Sequence, residues 1–91
     1  MAIDLATARS AGALAMKIDF LNAMIARIQN AITNNYLISN LTLQLTDANG
    51  GGIDSIPIGN LILADSQASL NVALTAYQSQ LTDATTQLAA L

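Results

Sequence analysis

Residues 11–32 of the chain read AGALAMKIDFLNAMIARIQNAI. Apolar side chains recur in this stretch at alternating spacings of three and four residues, which places them along one stripe of an α-helix. The stripe consists of Ala11, Leu14, Ile18, Leu21, Ile25, Ile28 and Ile32. This heptad pattern predicts a long helix that packs lengthwise against another helix.

The predicted helix covers residues 4–35, which corresponds to ~48 Å at 1.5 Å per residue. Asp4 is a candidate N-cap, because a carboxylate there can accept hydrogen bonds from the free N–H groups of the first turn. Asn34 and Asn35 are suited to the other end, since asparagine tolerates a left-handed backbone.

A second set of apolar residues lies on the side of this helix away from the heptad stripe. It consists of Ala13, Met16, Phe20 and Ala23. Charged residues normally fill these positions in a two-stranded coiled coil on a protein surface. A helix that is apolar on more than one face is usually buried on more than one face, so we expect it to have several neighbours.

After Leu37 the period of the sequence changes from helical spacing to two. Leu41, Leu43 and Leu45 alternate with polar residues, which is typical of a strand with one buried face and one solvent face. Residues 47–52, DANGGG, then predict a turn. The returning arm over residues 53–63 contains Pro57, which favours an edge strand or a bulge because proline donates no ladder hydrogen bond. A β-hairpin over residues 37–63 is therefore predicted.

A second helix is predicted over residues 66–91, with Asp65 or Ser66 as its N-cap. It carries a single apolar seam and an opposite face of Thr, Gln and Ser. The seam consists of Leu70, Leu74, Tyr77, Leu81, Ala84, Leu88 and Leu91.

Together these elements predict one domain over residues 1–91, mainly α with a β-hairpin, in which two long helices flank the hairpin. We expect the helices to lie antiparallel as a coiled-coil-like helical hairpin, with the β-hairpin projecting from one end, in an oligomer. The residues predicted to form packing interfaces are Leu14, Met16, Ile18, Phe20, Leu21, Ile25, Ile28, Ile32, Leu70, Leu74, Tyr77, Leu81 and Leu88.

The composition argues against most enzymatic chemistry. The 91 residues are 53% hydrophobic and 10% charged, with a net charge of −3 and neither Cys nor His. The chain therefore lacks thiolate nucleophiles, imidazole bases and the usual zinc ligands. Its six aspartates are spread along the sequence and are interpreted as capping or solvating groups. We expect a protein that is not an enzyme and uses no cofactor, metal or small-molecule substrate.

The sequence also argues against binding to nucleic acids and against insertion into membranes. Only Arg9, Lys17 and Arg27 are basic, whereas nucleic-acid binders cluster many basic residues. Charged and amide residues interrupt the most apolar stretch, so no transmembrane segment is expected, and no signal peptide is recognised at the N-terminus.

Residues Asp47, Asn49 and Asp54 surround the three glycines and resemble part of a calcium loop. The match fails at the fifth and twelfth positions counted from Asp47, which are Gly51 and Ile58 where calcium loops of this type need oxygen ligands. A plain turn is the preferred interpretation.

The overall character of residues 64–91 and of the loop over residues 47–59 is similar to that of small structural proteins of tailed-phage virions. That resemblance implies a non-enzymatic subunit that decorates or cements a capsid, or forms part of a fibre or neck. Its partners would be further copies of itself and other structural proteins of the same particle, in a virion made in the host cytoplasm.

Two alternatives remain open. One is a secreted or filament-forming helical-hairpin protein of similar length, although the chain has no Trp for the turn motif of such proteins and carries a β-hairpin in place of their short turn. The other is a small regulatory or antitoxin-like dimer, which would normally carry a basic recognition element that this sequence does not contain.

Overall fold

The computed structural model describes residues 4–91 and confirms a mainly helical chain with two helices flanking a two-stranded antiparallel hairpin. The elements, in chain order, are α1 (Leu5–Thr33), β1 (Leu41–Thr46), β2 (Gly52–Gly59) and α2 (Leu63–Ala89). None of the helices within residues 4–91 combines the length and apolarity needed to cross a membrane.

Helix α1 begins and ends as the sequence predicts. The Asp4 side chain accepts a hydrogen bond of 2.7 Å from the Thr7 N–H group and so caps the N-terminus. At the other end Asn35 has a φ of 55°, and the Tyr36 N–H group donates to the Ala31 carbonyl at 2.9 Å. This is the Schellman arrangement, which satisfies carbonyls of the last turn and turns the chain out of the helix.

The two helices run antiparallel, as contacts along their length demonstrate. Asn35, just past the end of α1, accepts a 2.9 Å hydrogen bond from Gln67 in the second turn of α2. Near the middle, the rings of Phe20 and Tyr77 meet edge to face with centroids 6.5 Å apart. At the far end, Leu14 and Leu91 line the same groove.

The hairpin is shorter than predicted, because residues 37–40 and 60–62 are not strand. Leu41 to Thr46 pair with Gly59 to Gly52, and the register shifts at both ends of β1. Pro57 lies opposite Thr42, next to one of these shifts, which confirms the expected bulge. The two strands pair only with each other, and no Cα atom of either strand lies within 8 Å of a Cα atom of a helix.

The predicted start of α2 is wrong by about three residues. The helix begins at Leu63 after Ile62, which makes no side-chain capping bond, and Asp65 lies within the first turn. Residues 61–63 were expected to continue the strand, but Leu61 only pairs with Ile38 through a single hydrogen bond of 2.8 Å before the helix starts.

Ser66, the second candidate cap, instead joins the helices to the base of the hairpin. It is fully buried, and its hydroxyl accepts a 2.9 Å hydrogen bond from the Ile38 N–H group. The same hydroxyl donates to the Leu61 carbonyl at 3.3 Å. One side chain therefore satisfies a backbone group on each of the two chain segments that lead into and out of the hairpin.

The molecule forms one layer of secondary structure. Its principal extents are 55 × 35 × 15 Å and its radius of gyration is 17.3 Å, whereas a compact domain of this length has a radius of about 12 Å. Within residues 4–91 only Leu21, Ile25 and Ala84 are buried apolar residues. Domains normally bury their apolar faces between at least two packed layers, and this chain supplies only one.

The Ser66 hydroxyl can be tested with Ser66→Ala. We expect this change to lower the free energy of unfolding by about 1–3 kcal/mol, because it leaves the Ile38 N–H group unpaired beside a buried site. Urea unfolding at a fixed protein concentration measures the loss. Ser79→Ala, at an exposed serine of the same helix, is the control and should change stability by less than about 0.5 kcal/mol; equal losses in the two variants would contradict the assigned role.

The Asp4 cap predicts a pH dependence of stability. The hydrogen bond from the Thr7 backbone N–H group holds the pKa of Asp4 below its ordinary value of 3.8. Its contribution is therefore complete above that pH and is lost as the pH falls through the lowered pKa of the folded state. Asp4→Asn keeps an oxygen acceptor but does not titrate. The stability advantage of the native chain over Asp4→Asn should shrink in acid, and an advantage that grows in acid would contradict the cap.

Candidate interaction surfaces

The seam between the helices contains most of the residues predicted to pack. Leu21 and Ile25 of α1 and Ala84 of α2 are buried at its centre. Leu91 is exposed, and the other residues of the two apolar stripes are half-buried: Ala11, Leu14, Ile18, Ile28, Ile32, Leu70, Leu74, Tyr77, Leu81 and Leu88. The heptad pattern therefore identified the contact surface of the two helices, but one contact along one line leaves most of these side chains partly open to solvent.

The outer face of α1, defined as Ala13, Met16, Phe20 and Ala23, is exposed. Met16 is 74% exposed and Phe20 is 54% exposed. Phe20 retains one intramolecular contact, the edge of Tyr77, because its long side chain reaches back toward the seam. These two residues were predicted to form packing interfaces, and within residues 4–91 more than half of each side chain remains exposed.

The leucine face of the hairpin, defined as Leu41, Leu43, Leu45 and Ile56, is a further apolar surface. Cross-strand pairing sets Leu43 directly opposite Ile56. Leu43 and Leu45 are each 43% exposed, so the expectation that this face is buried is wrong for the single chain. The reason is geometric, because the hairpin extends away from the helices and no other element of residues 4–91 lies against it.

The solvent-accessible area of the chain is larger than that of a compact monomer of the same mass. The accessible area is 6605 Å², whereas a folded monomer of 9.4 kDa exposes about 5,000 Å². The surplus is about 1,600 Å². A standard protein–protein interface buries about 800 Å² on each partner, so the surplus is of the size that one or two interfaces would cover.

Two of the six aspartates occupy a capping or turn position, and the other four lie within helices or in β2. Asp4 caps α1, and Asp47 accepts hydrogen bonds from the Asn49 and Gly51 N–H groups at 2.9 and 2.8 Å. Asp54 accepts from the Ser55 N–H group at 2.7 Å. All six aspartates are exposed, and within residues 4–91 no three His, Cys, Asp or Glu residues come close enough to hold a metal ion.

The loop that resembles part of a calcium site is therefore organised around its own backbone. One oxygen of Asp47 is used by two amides of the turn, and the Gly51 carbonyl accepts from the Asp47 N–H group at 2.8 Å. Gly50 has a φ of 85°, which glycine adopts without strain. These contacts are those of a closed Asx-type turn.

Two shallow grooves indent the helical layer. One, of about 530 Å³, lies between the open ends of the helices and is lined by Ser10, Ala13, Leu14, Gln87, Ala90 and Leu91. The other, of about 450 Å³, lies along α2 alone and is lined by Asn71, Val72, Thr75 and Ala76. Neither groove is lined by an acidic or basic side chain, and the lining of both is mainly apolar. These grooves are better suited to a packed side chain than to a reacting substrate.

Comparison with protein-family models, with curated proteins and with solved structures finds no match to this chain. Function is therefore argued from the three open surfaces: the outer face of α1, the leucine face and the free strand edges.

Sequence reasoning missed two features of these surfaces. Ser66 was expected to be a helix cap, and only the burial of its hydroxyl reveals that it holds the hairpin base. The leucine face was expected to be covered. The sequence does contain a signal for this exposure. Both helices use their seams to pair with each other, so neither seam is left to cover the leucine face.

The turn of the hairpin can be tested by a matched pair of glycine substitutions. A Cβ atom at Gly51 would lie 2.9 Å from Oδ2 of Asp47, whereas one at Gly52 meets nothing within 4 Å. Gly51→Ala should therefore displace the Asp47 carboxylate and weaken the turn by about 1 kcal/mol, with Gly52→Ala as the control. Amide hydrogen exchange in β1 and β2 measures local opening. Faster exchange in the Gly52 variant than in the Gly51 variant would contradict this account.

Proposed function

We propose that this chain is a non-enzymatic structural subunit, held permanently among further copies of itself and other proteins of a large assembly. The observation that carries the proposal is the surplus of about 1,600 Å² of accessible surface over a compact monomer of the same mass. If roughly 57% of that area is apolar, covering it releases about 20 kcal/mol before the costs of association are subtracted.

The small core supports the same proposal. Complete burial of a Leu or Ile side chain contributes about 1.5–3 kcal/mol, and among the described residues only Leu21 and Ile25 are large apolar side chains in the buried class. The conformational entropy lost on ordering the backbone is about 1–2 kcal/mol for each residue. The chain therefore needs contacts from other molecules to reach ordinary domain stability.

The assembly that we propose is a virion of the tailed-phage type, in which the chain decorates or cements the capsid or forms part of a fibre or neck. This choice rests on the resemblance in overall character of residues 64–91 and 47–59 to small structural virion proteins. A surface rich in Thr, Gln, Asn and Ala, on a chain with only three basic residues and six aspartates, is compatible with permanent burial among copies, because few charges would have to be desolvated.

A filament-forming helical-hairpin protein is the second candidate. The specific observation in its favour is that the β-hairpin is free of the helices, and a free strand edge can template the addition of further chains. Electron microscopy of the isolated chain separates the two functions. Unlimited filaments favour the second, whereas discrete oligomers that copurify at fixed stoichiometry with a capsid or tail protein favour the first.

The outer face of α1 provides a direct test of association. Met16→Lys should leave the helix intact, since both residues form helices well and Met16 is 74% exposed in the single chain. It should nevertheless weaken assembly, because a lysine ammonium would have to be buried in the contact. The measurements are helix content by circular dichroism and molar mass by light scattering.

The control for Met16→Lys is Asn49→Lys, which adds the same charge at the exposed polar turn of the hairpin. We expect the control to keep the mass of the native assembly. A Met16 variant that assembles as fully as the control would remove the outer face of α1 from the proposed contact surface.

A further inference from the structure

The two strands of the hairpin have outer edges of very different character. Each strand is paired on one side only, and the sheet within residues 4–91 contains no third strand. Unpaired edges invite association, and proteins commonly protect them with proline, charge or bulges. The distribution of these protective features between β1 and β2 therefore indicates which edge is kept closed.

The position of Pro57 in the ladder indicates which backbone N–H and C=O groups of the hairpin point away from the partner strand. It lies opposite Thr42, and because proline has no N–H group this pair belongs to the class that exchanges no hydrogen bonds within the hairpin. Residues of that class direct their N–H and C=O groups away from the partner strand. Since the classes alternate along an antiparallel ladder, Gln44 and Thr46 also point outward from β1, and Ser55 points outward from β2.

A second observation agrees with this assignment. The Asp47 N–H group donates to the Gly51 carbonyl at 2.8 Å, so the pair at the turn is of the hydrogen-bonded class. Counting back along β1, the odd-numbered residues face β2 and the even-numbered residues face the free edge.

The outer edge of β2 is closed. Pro57 offers no donor there, and the Ser55 N–H group is already occupied by Oδ1 of Asp54 at 2.7 Å. The register shifts at Leu41/Thr42 and Leu45/Thr46 each insert an extra residue into β2, which bends that strand. A further strand would find few correctly spaced donors along this edge.

The outer edge of β1 is open. The strand reads LTLQLT, with no proline, glycine or charge. In the described part of the chain the N–H groups of Thr42, Gln44 and Thr46 donate no hydrogen bond to a side chain. Three outward N–H groups and three outward carbonyls are therefore evenly spaced for pairing with another strand.

We propose that the outer edge of β1 pairs antiparallel with the same edge of a second copy of this chain, forming a continuous four-stranded sheet across a two-fold axis. In the register that we assign, the two copies of Gln44 lie opposite each other, and Thr42 of each copy lies opposite Thr46 of the other. This inference rests on the proposed function, in which the chain associates with further copies of itself.

Three arguments favour a second copy as the occupant of this edge. In the assigned register Leu43 of each copy lies opposite Leu45 of the other, so the two leucine faces join on one side of the sheet. Because β1 carries no charge, pairing of the two β1 strands sets no like charges directly opposite each other. The surplus of about 1,600 Å² exceeds the ~800 Å² that each partner of a stable dimer contributes, so the strand edge and adjoining apolar faces together provide sufficient area.

Single-cysteine cross-linking tests the register directly, because the chain contains no cysteine. Residues opposite each other in a hydrogen-bonded antiparallel pair have Cα atoms about 5.5 Å apart, which a disulfide can span. Under mild oxidation Gln44→Cys should become a disulfide-linked dimer on a non-reducing gel. Ser55→Cys, on the closed edge at the same level of the hairpin, is the matched control and should stay largely uncross-linked.

Gln44→Pro provides the second test. It removes an outward N–H group while leaving the hydrogen bonds between β1 and β2 in place, and should lower the molar mass measured by light scattering. Gln44→Thr keeps the N–H group and should keep the native mass. Circular dichroism checks that both variants retain their helices, and the cysteine experiment stands independently if Gln44→Pro fails to fold.

The possible outcomes separate this inference from the proposed function. An oligomeric native chain with no preferential cross-linking at Gln44 and an unchanged mass for Gln44→Pro would overturn the strand pairing and leave the structural role intact. A native chain that is folded and monomeric would overturn both. Preferential cross-linking at Gln44, with loss of mass on proline substitution, supports the two-fold sheet.

Discussion

The constraint on which the rest of the structure depends is that one chain supplies only one layer of secondary structure. Two helices meet along a single seam, the hairpin extends from their end, and the shortest dimension of the molecule is 15 Å. Within residues 4–91 the outer face of α1 and the leucine face of the hairpin therefore remain largely uncovered. We propose that association with other molecules supplies the second layer that folded domains usually build internally.

Side-chain hydrogen bonds connect the hairpin to α2 and also link the two helices. Ser66 ties the two ends of the hairpin to α2 through hydrogen bonds to Ile38 and Leu61, and Gln67 reaches Asn35 across the helix pair. Such bonds fix the direction in which the hairpin leaves the helices but bury little apolar area. In the proposed assembly they position the leucine face and the β1 edge for a partner.

Most of the architecture was predictable from the sequence because it depends on local periodicity. The four-three spacing identified the seam, Asp4 and Asn35 marked the ends of α1, and the alternation at Leu41, Leu43 and Leu45 identified a strand. The start of α2 was not predictable from capping preferences, since Ser66 is used by a tertiary hydrogen bond. The difference between the two hairpin edges could not be predicted from periodicity. It depends on the register of Pro57 and on the hydrogen bond that the Ser55 N–H group donates to Asp54.

The central claim is that this chain does not exist as a stable, isolated, folded molecule. Its most direct test measures two properties of the purified native chain over a wide range of dilution. These are its molar mass, by light scattering, and its helix content, by circular dichroism. The account predicts a mass that is a multiple of 9.4 kDa and a loss of helix content when dilution separates the copies. A fully helical species that remains at 9.4 kDa and unfolds cooperatively at every concentration would contradict it.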